Sequence, residues 1–138
     1  MLAEDTTKIT VVYTKYVMSH KHPITDSFAY AIDGIATAIK EEPNFRLHLL
    51  AATIVTTLAW YLKFSSLEWV ILVLVISSVI VLELINTALE ALVDLVSPSI
   101  KNQAKTAKDV CSASVLVASI AATVIGYLLF IPKLALVL

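Results

Sequence analysis

The sequence predicts an all-α integral membrane protein with three membrane-spanning helices and an N-terminal amphipathic helix lying on the membrane surface. Two observations carry that fold class. Of 138 residues, 59% are hydrophobic and only 15% charged, with a mean hydropathy of +0.87, which sets the chain apart from soluble globular domains. Three strongly apolar segments, about 47–64, 67–96 and 110–131, are each near or above the ~20 residues that a helix needs to cross a bilayer.

Residues 1–22 mix Thr, Tyr, Val and Lys without a helical period and form an extension of unknown role. A single domain occupies 23–138. It opens with Pro23 and a capping Thr25 or Asp26, followed by Phe28, Ala31, Ile32, Ile35 and Ile39 at helical spacing, which predicts a surface helix over about 26–41. The middle apolar segment is longer than a bilayer needs. At 1.5 Å per residue it reaches roughly 45 Å against a hydrocarbon core of about 30 Å, so its C-terminal turns emerge among the headgroups.

Basic residues orient the chain. Lys8, Lys15, Lys21, Lys40 and Arg46 precede the first span, and Lys101, Lys105 and Lys108 lie between the second and third. Lys63 and Lys133 stand on the opposite side. The positive-inside rule therefore places the N-terminus and the 97–109 loop in the cytoplasm. Trp60, Tyr61 and Trp69, with Tyr127 and Phe130, are candidates for an aromatic belt at the far interface.

The segment VLELINTALEALVDLVSP, 81–98, breaks the apolar pattern. Glu83, Asn86, Glu90 and Asp94 are spaced by three, four and four residues, so a helix stacks them on one face. Carboxylates at membrane depth are costly and point to function. Glu41, Glu42 and Arg46 before the first span and Lys105, Lys108 and Asp109 before the third belong to the same predicted cytoplasmic interface. Carboxylates hold Mg²⁺ through hard oxygen ligands, lysines neutralise phosphates, and a partly desolvated carboxylate can accept a proton from an alcohol.

Other classes are narrowed by what the chain carries. A formal charge of −1 gives no argument for nucleic acid, and the single Cys111 excludes an intrachain disulfide or a cysteine metal cage. Only Gly34 and Gly126 are present, so there is neither a Walker A loop nor a kinase glycine loop. Metal and lysine must cradle any phosphates. No charged start followed by an apolar core and cleavage site marks a signal peptide. Cys111 reads as a packing residue, and His48 as a hydrogen-bonded side chain at the membrane interface.

Three motifs, E-P-N-F-R at 42–46, E-L-I-N-T-A-L-E-A-L-V-D at 83–94 and A-K-D at 107–109, resemble the small prokaryotic integral-membrane lipid kinases. That family comprises diacylglycerol kinase and the related undecaprenol kinase of Gram-positive bacteria, and the resemblance covers about residues 25–134. It implies a homotrimer in the bacterial plasma membrane that uses Mg²⁺ and ATP to phosphorylate a lipid hydroxyl from the cytoplasmic side. Carried over residue by residue, Glu83 resembles the catalytic base, and Glu42 and Glu90 the carboxylates of the ATP-associated metal. Tyr30, Asn86, Asp94, Lys108 and Asp109 match nucleotide-site positions, with Lys108 on phosphate. Phe45, Arg46 and Ser112, together with Glu83, match positions at the lipid substrate. N-F-R-L-H-L at 44–49 and G-Y-L-L-F-I-P-K-L at 126–134 look like the undecaprenol branch. Leu95 and Pro23 stand where the diacylglycerol branch carries basic residues.

Plainer readings stand beside these. Glu83 and Glu90 could form a structural network between helices, Lys108 and Asp109 could simply flank a span, and Glu42 could be an exposed helix-end charge. A proton-coupled transporter using Glu83 as relay is a second functional class, but its acid would more naturally sit near the midplane on broken helices. A non-catalytic scaffold is a third. Ser114, Ala118 and Ala122 offer small-residue packing, yet packing does not require the charged residues to converge.

Overall fold

The computed structural model describes residues 24–97 and 102–135. The proposed extension, 1–22, lies outside them. Four helices follow in order: α1 (Ile24–Glu41), α2 (Pro43–Tyr61), α3 (Ser66–Val96) and α4 (Asn102–Leu134). The chain divides between Ala36 and Thr37 into two units.

The first unit holds most of α1. Its apolar stripe, Phe28, Ile32 and Ile35, is left exposed, as is Tyr30. The second unit, from Thr37, contains α2, α3 and α4. Pro43 sets the boundary that opens α2. It stands at the first helical position, where its missing N–H costs nothing, and it keeps the preceding Glu42 extended at φ −103° and ψ 108°. Arg46 donates through one guanidinium nitrogen to the carbonyls of Ile39 and Lys40 at 3.5 and 3.3 Å, capping the end of α1.

α3 packs chiefly on α4 and secondarily on α2. Two helices, α3 and α4, are long and apolar enough to cross a membrane, while only 22% and 11% of their most apolar windows are buried. Such exposed apolar surface is unlike the core helix of a soluble protein and fits contact with lipid or other membrane helices. α2 is helical over 19 residues, about 28 Å at 1.5 Å per residue. Hydroxyls along these helices satisfy themselves: Thr53 donates to the Leu49 carbonyl, Thr57 to Thr53, Ser78 to Leu74 and Thr123 to Ser119, each at 2.7–2.8 Å. That pattern suits a medium without water to bond.

Helix boundaries differ from expectation at several ends, α2 opening at Pro43 rather than about 47 and α4 running on to Leu134 rather than about 131. α4 begins at Asn102, about two turns before the apolar run, because Gln103, Ala104, Lys105, Ala107 and Lys108 are good helix formers with no Gly or Pro among them. Lys105, Lys108 and Asp109 are therefore helical rather than part of a loop. α2 ends at Tyr61 instead of about 64, at a turn whose Lys63 takes φ 54°. The start of α3 explains that stop. Ser65 and Glu68 form a capping box: the Ser65 N–H and hydroxyl donate to Glu68 Oε2 at 2.6 and 2.7 Å, and the Glu68 N–H returns to Ser65 Oγ. Phe64 before the cap meets Trp69 edge-on at 6.4 Å, closing a hydrophobic staple.

This corner also holds the main apolar core. Ala59, Leu62, Phe64, Leu72 and Phe130 are buried together, with Phe64 and Phe130 ring centroids 4.7 Å apart. Phe130 is thus a core residue rather than a member of an exposed belt, and Trp69 packs partly against the same cluster. Lys133 pairs with Glu68 at 3.1 Å and lies over the Phe64 ring at 5.9 Å, tying the end of α4 to the beginning of α3. Replacing Ser65 by Ala should cost about 1 kcal/mol through the lost cap. The check is a lower unfolding midpoint in detergent, and a midpoint equal to wild type would show that the cap contributes nothing.

Candidate active site

The polar residues of α3 follow a gradient of burial. Glu83 is 2% exposed and Asn86 9%, Glu90 is half-buried, and Asp94 is exposed. Their common face is the one α3 presents to α2 and α4, because Leu72, Ile76 and Val79 continue the same stripe toward the core at spacings of four and three. A helix buried along its apolar face necessarily carries the in-register carboxylates into the same interface.

Glu83 lies within electrostatic reach of three other ionisable groups, His48, Glu42 and Glu90. Two come from the neighbourhood of α2. Glu42 is held at the corner before Pro43, and its side chain makes no capping hydrogen bond, which leaves the carboxylate available. His48 follows on α2, half-buried. Phe45, between them in sequence, is 1% exposed and packs the corner, whereas Arg46 is engaged with the end of α1.

Glu90 is reached from two sides. Asn86 Nδ2 donates to Glu90 Oε1 at 2.9 Å, an i to i+4 contact along α3, and Ser112 of α4 approaches the same oxygen at 3.5 Å. Asn86 Oδ1 is buried without a hydrogen-bond partner. A turn further on, Lys108 Nζ donates to both carboxylate oxygens of Asp94, each at 2.9 Å, bridging α4 to α3. Asp109 instead takes Lys105 at 2.6 Å, an exposed i to i+4 pair of the kind that contributes little to stability. Lys108 and Asp109 are thus neighbours in sequence but belong to different pairs.

The second unit therefore brings Glu42, Glu83, Asn86, Glu90, Asp94, Lys108 and Ser112 into one connected region of α2, α3 and α4. Tyr30 belongs to the first unit and is exposed there. His48 is the residue that sequence reasoning undervalued. Its signal was its position six residues after Glu42, in the first turns of α2. The Asp94–Lys108 bridge was likewise invisible, because it joins residues 14 apart across an interhelical connection.

Among the described residues no three His, Cys, Asp or Glu side chains close into a metal cage. The donors nevertheless fit Mg²⁺, which is commonly bound by one or two carboxylates with substrate phosphates and water completing its shell. Glu42 and Glu90 are carboxylates of the kind such a site would use, and Asn86, bonded to Glu90 through Nδ2, carries an unpartnered buried Oδ1.

Comparison with known proteins places the chain in a family. The family model of prokaryotic diacylglycerol kinase matches residues 29–130. An undecaprenol kinase of Bacillus subtilis (strain 168) is 39% identical over 108 residues, covering 78% of this chain and 88% of that protein. A diacylglycerol kinase of Synechocystis is 41% identical over 109 residues, covering 78% of this chain and 62% of its own length. The diacylglycerol kinase of Escherichia coli (strain K12) is 30% identical over 101 residues, 73% of this chain and 83% of that protein. The matched region takes in every helix that contributes to the polar cluster, and the chain belongs to the prokaryotic diacylglycerol kinase family of lipid kinases.

Proposed function

We propose that the chain transfers the γ-phosphate of Mg·ATP to the hydroxyl of undecaprenol, yielding undecaprenyl phosphate at the cytoplasmic face of a bacterial plasma membrane. The observation that carries this reading is Glu83, a carboxylate 2% exposed on an apolar helix, within electrostatic reach of the ionisable side chains of Glu42, His48 and Glu90. In this scheme Glu83 removes the proton as the lipid oxygen attacks the γ-phosphorus; the new O–P bond forms while the bond to the ADP oxygen breaks. Glu42 and Glu90 would hold the Mg²⁺, which would supply charge neutralisation to the phosphates when bound.

Lys108 faces the phosphates once it exchanges its Asp94 partner for them, and Asn86, Asp94 and Asp109 shape the nucleotide site; Tyr30 of α1 matches a nucleotide-site position by the family resemblance alone. Ser112, Phe45 and Arg46 border the lipid headgroup. α2 is the third span beside α3 and α4, α1 lies on the membrane surface through its uncovered apolar stripe, and the N-terminus is cytoplasmic. Three copies complete the site as a homotrimer, which suits a chain whose spanning helices leave most of their apolar surface open.

Undecaprenol is favoured over diacylglycerol by the N-F-R-L-H-L and G-Y-L-L-F-I-P-K-L segments. The test is transfer of labelled γ-phosphate to undecaprenol and to dioleoylglycerol in mixed micelles. Preferential labelling of undecaprenol is expected. Preference for dioleoylglycerol would move the chain to the sister activity with the mechanism intact. Removal of divalent cation by chelation should stop labelling of either lipid, and its return should restore it.

A further inference from the structure

Glu42, one of the two carboxylates assigned to the metal, stands on a corner where the backbone lacks a donor. An α-helix bonds each N–H to the carbonyl four residues back, so the carbonyl of Ile39 looks to the nitrogen of residue 43. That residue is Pro43, which has no N–H to give. The bond that closes α1 is therefore the one from the Glu42 N–H to the Ala38 carbonyl at 2.9 Å, and the carbonyls of Ile39 and Lys40 lie past it.

The donor that reaches both is Arg46, three residues after the proline. Its Nη1 stands 3.5 Å from the Ile39 carbonyl and 3.3 Å from that of Lys40. A cation there also complements the carboxyl end of the helix dipole. The Arg46 backbone N–H donates to the Glu42 carbonyl at 3.3 Å and so forms the first turn of α2. One residue thus ties down both sides of the corner. Glu42 hangs between these turns, extended at φ −103°, with its side chain in no capping bond. The corner, 37–46, belongs wholly to the second unit, and Ala38 and Phe45 on either side of Glu42 are buried.

We propose that Arg46 is the positioning residue for Glu42: by capping the carbonyls that follow the last bond of α1, it fixes the corner from which Glu42 serves the metal. The proposal rests on the kinase reading above and gives Arg46 a role apart from any contact with the lipid. Groups that orient a metal ligand typically govern about 10–100-fold in metal affinity or activity. Lysine keeps a charged donor at this position, whereas methionine keeps an unbranched stem and offers none.

The test uses the full-length protein in mixed micelles and follows the unfolding midpoint as Mg²⁺ is titrated at a fixed concentration of a non-hydrolysable ATP analogue, a readout independent of turnover. Arg46→Met should raise the Mg²⁺ concentration at half-effect about tenfold, and Arg46→Lys less than about threefold. Should Arg46→Met fail to fold, Arg46→Gln takes its place with the same expected shift. In the transfer assay the Mg²⁺ requirement should move likewise, while the KM for undecaprenol changes less than about twofold. Combined with Glu42→Gln, Arg46→Met should add little, as for a residue acting through another. Ser65→Ala, which weakens the cap beyond the far end of α2, should lower the midpoint without moving the Mg²⁺ dependence. A wild-type Mg²⁺ dependence in Arg46→Met would overturn the proposal. A rise confined to the KM for undecaprenol would overturn it too, making Arg46 a headgroup contact, and an equal shift in Ser65→Ala would reduce the effect to general loosening. Each of these leaves the kinase reading standing, whereas a wild type that gains no stability from Mg²⁺ with the analogue would defeat that reading and the proposal together.

Discussion

Glu83→Gln should lower phosphoryl transfer to the lipid by about 10²–10⁴-fold, the usual contribution of a positioned general base. Gln keeps the volume of the buried side chain but cannot accept the proton, so the loss falls on kcat rather than on binding. Stabilisation by Mg·ATP should persist in the variant, because the proposed nucleotide contacts lie on Glu42, Glu90 and Lys108. The measurement is a labelled-phosphate assay beside a thermal-shift titration with Mg·ATP. A variant within tenfold of wild type would remove Glu83 from the chemistry and leave it a structural carboxylate between helices.

Lys108→Met should reduce kcat/KM for Mg·ATP by about 10²–10³-fold, the scale of losing one preorganised charge on a transferring group. Lys108 is held by both oxygens of Asp94, so Asp94→Asn should loosen the ammonium without removing it. Its loss should be several-fold smaller and appear mainly as a higher KM for ATP. Lys108→Arg should not restore full activity, since a planar fork replaces a compact point charge. Equal defects in Asp94→Asn and Lys108→Met would mean that the bridge, rather than the lysine's reach toward phosphate, is what the enzyme needs.

Much of this site is legible in the sequence because helical periodicity acts locally. Glu83, Asn86, Glu90 and Asp94 share a face wherever 81–96 is helical, and the strength of the apolar run makes the helix certain to form. Pro43 similarly fixes a corner at Glu42. Less legible were the helix limits, since the first turns of α4 consist of soluble helix formers that hydropathy does not register. Ser65 and Glu68 did carry a readable signal, the S-x-x-E capping box, and it places the start of α3 and the end of α2 together. Phe130 could not be assigned to core or interface from its aromatic character alone, because that choice depends on Phe64 arriving from another helix.

By itself the sequence determined the all-helical architecture, the apolar character that belongs in a membrane, and a stripe of carboxylates on α3, all consequences of composition and of a period of 3.6 residues. Tertiary packing decided which groups surround that stripe. His48 comes within electrostatic reach of Glu83, Lys108 chooses Asp94 over its neighbour Asp109, and Ser112 reaches Glu90, because the pairing of α3 with α2 and α4 brings together residues that no local rule connects. Interhelical register arises from side-chain packing summed over whole helix faces, so it exists only once the helices have met.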